Sequence, residues 1–113
     1  MDKKTTAGPV CALDYAFRRI GGKYKARTLW HIYDENNVLR YGELKRVLRN
    51  ITSKMLTQTL RELEHDQLIS RKVYHEVPPK VEYSLTETGK ELIPFIDHLA
   101  KWGEEQMAKE KPN

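Results

Sequence analysis

The sequence predicts a mainly α chain with a small β-hairpin, an α+β arrangement in which helices hold the core and an exposed ribbon projects from it. Three observations predict it. Apolar residues recur at helical spacing through the first half of the chain. From Ile69 the pattern changes to alternation, is interrupted by Pro78 and Pro79, and resumes from Val81 to Leu85. Helical spacing then returns after Thr86. The order is helix, helix, strand fragment, helix, helix, hairpin, helix, which is the winged helix-turn-helix arrangement.

Each element has its own reason. Val10, Leu13, Phe17 and Ile20 form one apolar stripe of a short first helix, which Gly21-Gly22 stops. In "KYKARTLWHIYD", Ala26, Leu29, Trp30, Ile32 and Tyr33 make a face wide enough to put the second helix near the centre of the domain. "DENN", residues 34–37, is a turn, and "VLRY" is too short to be more than a strand fragment. "YGELKRVLR" resumes helical spacing through Leu44, Val47 and Leu48. Thr52 caps a fourth helix with the stripe Leu56, Leu60 and Leu63, running to about Asp66 or Gln67. After the hairpin, Thr86 caps a long last helix in which Pro94 is expected to bend the axis.

With 113 residues there is room for one core. Residues 10–107 are therefore read as one domain between flexible tails at 1–9 and 108–113. A hydrophobic content of 39% beside 32% charged residues, with mean hydropathy −0.72, describes a soluble globular chain. No window is apolar enough to span a bilayer and "MDKKTTAGPV" lacks a signal-peptide core, so a cytoplasmic, nucleoid-associated protein with no membrane partner is expected.

The single cysteine, Cys11, excludes an internal disulfide and Cys-rich zinc motifs. His31, His65, His75 and His98 fall on different elements with no i, i+4 pair, so no metal and no cofactor are expected. No glycine-rich phosphate loop, nucleophile elbow or close carboxylate pair is present, and the chain is read as not an enzyme. Twenty Lys and Arg against 16 Asp and Glu give a formal charge of +4, which favours a polyanionic partner.

If Leu56, Leu60 and Leu63 face inward, Lys54, Thr57, Gln58, Arg61 and His65 face outward. Such a helix fits the major groove of DNA: Arg and Lys donate to guanine, Gln pairs with adenine, and Thr meets the thymine methyl. Ser53, at the helix start, suits a phosphate. Any amphipathic helix has a polar outer face, so the weight comes from the ribbon that follows, with Arg71, Lys72 and Lys80. Arg40, Lys45 and Arg46 add charge beside the turn between the middle helices.

The last helix carries more apolar surface than one small domain covers: Leu92, Ile96, Leu99 and Gly103 on one side, Phe95, Trp102 and Gln106 on another. A partner helix is the economical explanation. Cys11 opens the first helix, a position that can activate a thiol, although a buried inert thiol is the plainer reading.

"IGGKYK" at 20–25, "RYGELKRVL" at 40–48, "ITSKMLTQTLRELEHDQLISRKVYHEVPPKVEYSLTETG" at 51–89 and "KWG" at 101–103 resemble the HxlR-type transcriptional regulators, winged helix-turn-helix proteins of MarR-like architecture. The similarity covers about residues 11–103, and Tyr24 departs from the tryptophan usual after "GGK" without losing its aromatic packing role.

The resemblance implies a homodimer built from the terminal helices and a double-stranded DNA operator with inverted repeats. It places the reading helix at Thr52 to Gln67, with Ser53, Lys54, Thr57, Gln58 and Arg61 facing DNA, and the wing at Ile69 to Leu85. Arg40, Lys72 and Lys80 are expected at the wing and the backbone. Leu92, Phe95, Ile96, Leu99 and Trp102 are expected at the dimer interface. In several members of that family a cysteine near the first helix senses oxidants or electrophiles, while in others it has no assigned role. Cys11 matches the position, so a redox signal, like a small-molecule one, stays open. The expectation is a repressor or autoregulator on a palindromic operator; the alternative is a winged-helix protein-interaction module without specific DNA binding.

Overall fold

The computed structural model describes residues 11–110, in the order α1 (Ala12–Ile20), α2 (Lys25–Asp34), β1 (Val38–Arg40), α3 (Tyr41–Val47), α4 (Ser53–His65), β2 (Ile69–Tyr74), β3 (Lys80–Leu85) and α5 (Glu87–Glu110). This is the α+β winged helix-turn-helix that the periodicities predict. Val10 and the tail at 1–9 lie outside the described residues. At the other end α5 continues past Met107, through three positions assigned to the tail from sequence, because "AKE" keeps favourable helix formers to Glu110. Residues 111–113 lie outside the described residues.

The core gathers one stripe from each helix. Leu29 and Ile32 of α2, Leu44 of α3, Leu48 after it, and Leu56 and Leu63 of α4 are fully buried. Each such side chain contributes about 1.5–3 kcal/mol through removal from water. α2 is central as expected, but its apolar face is narrower than the sequence suggests: Tyr33 is exposed and lies against Trp30, with ring centroids 5.9 Å apart. Its hydroxyl end can remain in water, which a leucine could not exploit. Tyr24 is buried in the core and takes the aromatic role expected of it.

Local chemistry fixes both ends of α4. Thr52 is the N-cap, its hydroxyl accepting from the Met55 amide at 3.0 Å. At the other end Gln67 adopts φ 61°, its amide donates to the Glu64 carbonyl at 2.9 Å, and the Leu68 amide donates to Leu63 at 3.0 Å. This is a Schellman ending with glutamine where glycine is usual. It turns the chain directly into the ribbon.

The strands form one antiparallel sheet in the order β1-β3-β2. The strand fragment is therefore a true edge strand: Leu39 is buried and pairs with Tyr83, and three residues suffice because β3 is already held on its other side by β2. The alternation that begins at Ile69 holds as strand only to Tyr74, where β2 ends, and His75 lies beyond it.

A tight junction joins the base of the ribbon to α5. Thr86 donates its hydroxyl to the Gln67 carbonyl at 2.7 Å and accepts from the Gly89 amide at 2.9 Å, while its own amide donates to Leu68 at 3.1 Å. Gly89 is buried so close to the Leu68 carbonyl that a Cβ would overlap it. The end of α4 and the start of α5 are thus tied through the same few residues.

Candidate nucleic-acid interface

α4 presents one polar face outward. Ser53, Lys54, Gln58, Arg61 and His65 are exposed and Thr57 is half-buried. Thr57 is less free than expected, because the Tyr41 hydroxyl lies 3.2 Å from its hydroxyl and 3.1 Å from the Ser53 carbonyl. A carbonyl only accepts, so the tyrosine proton goes to Ser53 and Thr57 donates to the phenolic oxygen. Tyr41 thereby pins the first turn of α4 against α3.

Gln58 is also engaged: its amide nitrogen donates to the Glu62 carboxylate one turn on. The Lys25 ammonium lies 2.9 Å from the other Glu62 oxygen. These two bonds, Gln58 first, hold the Glu62 carboxyl below its usual pKa.

The parity of the ribbon divides its cations. Ile69, Arg71 and Val73 oppose Leu85, Tyr83 and Val81, so Arg71 shares the face that carries the core residues. It lines a cleft of about 330 Å³ with Arg61 and Thr57 of α4, and with Tyr41, Glu64 and Tyr83. Charge alone does not rank Arg71 above Lys72 and Lys80. The sequence signal that does so is its parity with Ile69 and Val73.

Lys72 and Lys80 occupy the opposite face. Lys80, expected at the wing tip, instead begins β3 opposite Tyr74. Its ammonium is 3.8 Å from Glu82 and 4.3 Å from the centre of the Tyr74 ring, and the side chain is only 25% exposed. Its charge is therefore shared with Glu82 and Tyr74. Lys72 is exposed, 4.8 Å from the same ring, and Arg40 is exposed on β1. Both are in register with Glu82, so the carboxylate that would repel phosphate sits in a row of cations.

The terminal helices carry the second prominent surface. Leu13 and Phe17 of α1 and Phe95, Leu99 and Trp102 of α5 are each more than half exposed, and with Leu92 they line an apolar groove of about 630 Å³. Ile96, assigned to this face from sequence, is a correction: it is 7% exposed and belongs to the chain's own core together with Ile93. Cys11 is exposed at the N-cap of α1, which overturns the buried-thiol reading. Among the described residues no cluster of three His, Cys, Asp or Glu could hold a metal ion, and no helix is long and apolar enough to cross a membrane.

Comparison with known proteins agrees with this geometry. Residues 19–111 match the family model described as HxlR-like helix-turn-helix. An HTH-type transcriptional regulator of Methanothermobacter thermautotrophicus is 50% identical over 83% of this chain and 70% of its own. The HTH-type transcriptional regulator YkvN of Bacillus subtilis is 50% identical over 82% of this chain and 77% of its own. Among solved structures, the redox regulator HypR in its oxidized form superposes with a TM-score of 0.79 at 45% identity, covering 84% of this chain and 96% of that one.

Proposed function

The chain belongs to the HxlR-like helix-turn-helix family and is a transcriptional regulator with a DNA-binding helix-turn-helix, and from this premise we propose that it acts as a homodimeric repressor or autoregulator on a palindromic operator. The observation that carries the reading is the convergence of Arg61, on the outer face of α4, with Arg71 of the ribbon in one cleft. A helix lying in the major groove brings Arg61 to base edges, while Arg71 beside it meets the flanking phosphates. Lys54, Thr57 and Gln58 complete the reading face, and Ser53 and Arg40 suit backbone contacts. Lys72 supplies charge on the outer face of the wing.

Two chains joined through the α1/α5 groove would bury Leu92, Phe95, Leu99 and Trp102. Their reading helices would then meet half-sites about 34–36 Å apart. The test begins with selection of duplexes from a random library by the full chain. Arg61→Ala is expected to weaken the selected operator by about 1–3 kcal/mol and to relax one base position. Arg71→Ala is expected to weaken all duplexes alike and to flatten the salt slope by about one unit. Unchanged affinity after both substitutions would remove α4 from the interface.

A second reading, favoured by the exposure of Cys11, makes the regulator responsive to oxidants. The likeness to HypR supports it. A peroxide would take two electrons from two thiolates, one from each subunit or one from a small thiol, leaving a disulfide. Treatment with peroxide is expected to change operator affinity of the wild type and to leave Cys11→Ser unaffected, as read by titration before and after a reductant. Equal responses of the two proteins would end this reading.

A further inference from the structure

The polar contacts of α4 extend beyond the residues that face outward. Gln58 is exposed on the reading face, yet its amide nitrogen is already committed to Glu62. A carboxylate offers only acceptors, so while this pair is formed the amide nitrogen points to Glu62 and the carbonyl away. One amide proton is used in this way. The remaining N–H and the carbonyl are the pair that a two-point contact to adenine requires. Glu62 is held in turn, its second oxygen 2.9 Å from Lys25, whose side chain is only 17% exposed. Lys25 also donates to the Arg18 carbonyl of α1 at 3.0 Å. A side chain on a different helix therefore anchors the carboxylate that orients the glutamine.

We infer that Glu62, anchored by Lys25, is a positioning residue that fixes the amide of Gln58 for reading one base pair in each half-site. The base preference at that pair then depends on Glu62 and Lys25, although only Gln58 touches the base. This rests on the reading of α4 as the DNA-facing helix. A free glutamine can present either its donor or its acceptor to a base and so discriminates poorly. A glutamine locked by a carboxylate presents one arrangement only, with less rotamer freedom lost on binding.

The experiment is selection from a random duplex library by wild type, Gln58→Ala, Glu62→Gln, Glu62→Asp and Lys25→Met, with thermal unfolding of each. Gln58→Ala is expected to erase the preference at one base pair of each half-site. Glu62→Gln, which restores amide rotation, is expected to reduce the preference at the same pair from about tenfold to about twofold, the scale of one bidentate contact. Its affinity for every duplex is expected to rise, since a negative charge is removed. Glu62→Asp keeps the charge but withdraws the carboxylate, so it should lose the preference without the general gain. Lys25→Met should lower the preference in part. Retention of the wild-type preference by Glu62→Gln, at the pair that Gln58→Ala erases, would overturn the inference and leave α4 as the reading helix. A Gln58→Ala variant with every base preference intact would overturn it equally. Failure of the wild type to enrich any motif would overturn the DNA reading itself, and the inference with it.

Discussion

Replacing Gly89 by alanine is expected to destabilise the fold by about 3 kcal/mol, at the upper end of overpacking costs. The added methyl would overlap the Leu68 carbonyl, which is backbone and cannot swing aside as a side-chain end would. Relief requires moving α5 away from the root of the wing, which strains the hydrogen bonds that tie Thr86 to Gln67 and Leu68. For a domain of this size the thermal midpoint should fall by more than about 10 °C. Gly103 provides a matched control in the same helix, where a Cβ would meet nothing within 4 Å. Gly103→Ala should raise stability by up to about 1 kcal/mol through helix propensity. Calorimetry of both variants at one protein concentration checks this. Equal midpoints would mean that the junction is looser than its geometry implies.

The second large effect is expected from Phe95→Asp combined with Trp102→Asp. Both side chains are exposed, 69% and 58%, and neither belongs to the core, so each chain should keep its own fold. Two carboxylates in the α1/α5 groove would have to lose water when a second chain docks, and among the described residues no Lys or Arg lines the groove to offset them. The variant should sediment as a monomer. It should bind a palindromic operator more weakly by a factor of about one hundred or more, because the second half-site no longer adds to the first. Binding to an isolated half-site should be preserved. A variant that sediments like the wild type would move the dimer interface elsewhere.

The helices are legible in the sequence because each carries a stripe at its own period. Leu56, Leu60 and Leu63 fix the inward side of α4, and so its outward face. Thr52 can be read as a cap because a hydroxyl before the apolar run has one evident use. What spacing does not contain is the identity of the neighbour that covers each face. Ile96 and Leu99 lie almost on one side of α5, yet Ile96 enters the chain's own core while Leu99 remains exposed. The same limit applies to the ribbon. Alternation separates Arg71 from Lys72, but which of the two faces turns to α4 depends on tertiary packing. Tyr74 collects Lys72, Lys80 and Glu82 around one ring and hydroxyl. Side-chain pairing across strands needs the register, which two prolines in the connection leave open.

The junction of Gln67, Leu68, Thr86 and Gly89 leaves no hinge between α4 and α5. A pair of such chains would behave as a caliper with stiff arms. Each base pair inserted at the centre of an operator moves one half-site by about 3.4 Å and turns it by about 35°. Arms without a joint cannot follow that displacement, so the length of the spacer would be measured as strictly as the bases are read. Anything that alters the angle between the two α5 helices would then reset the caliper without approaching the DNA.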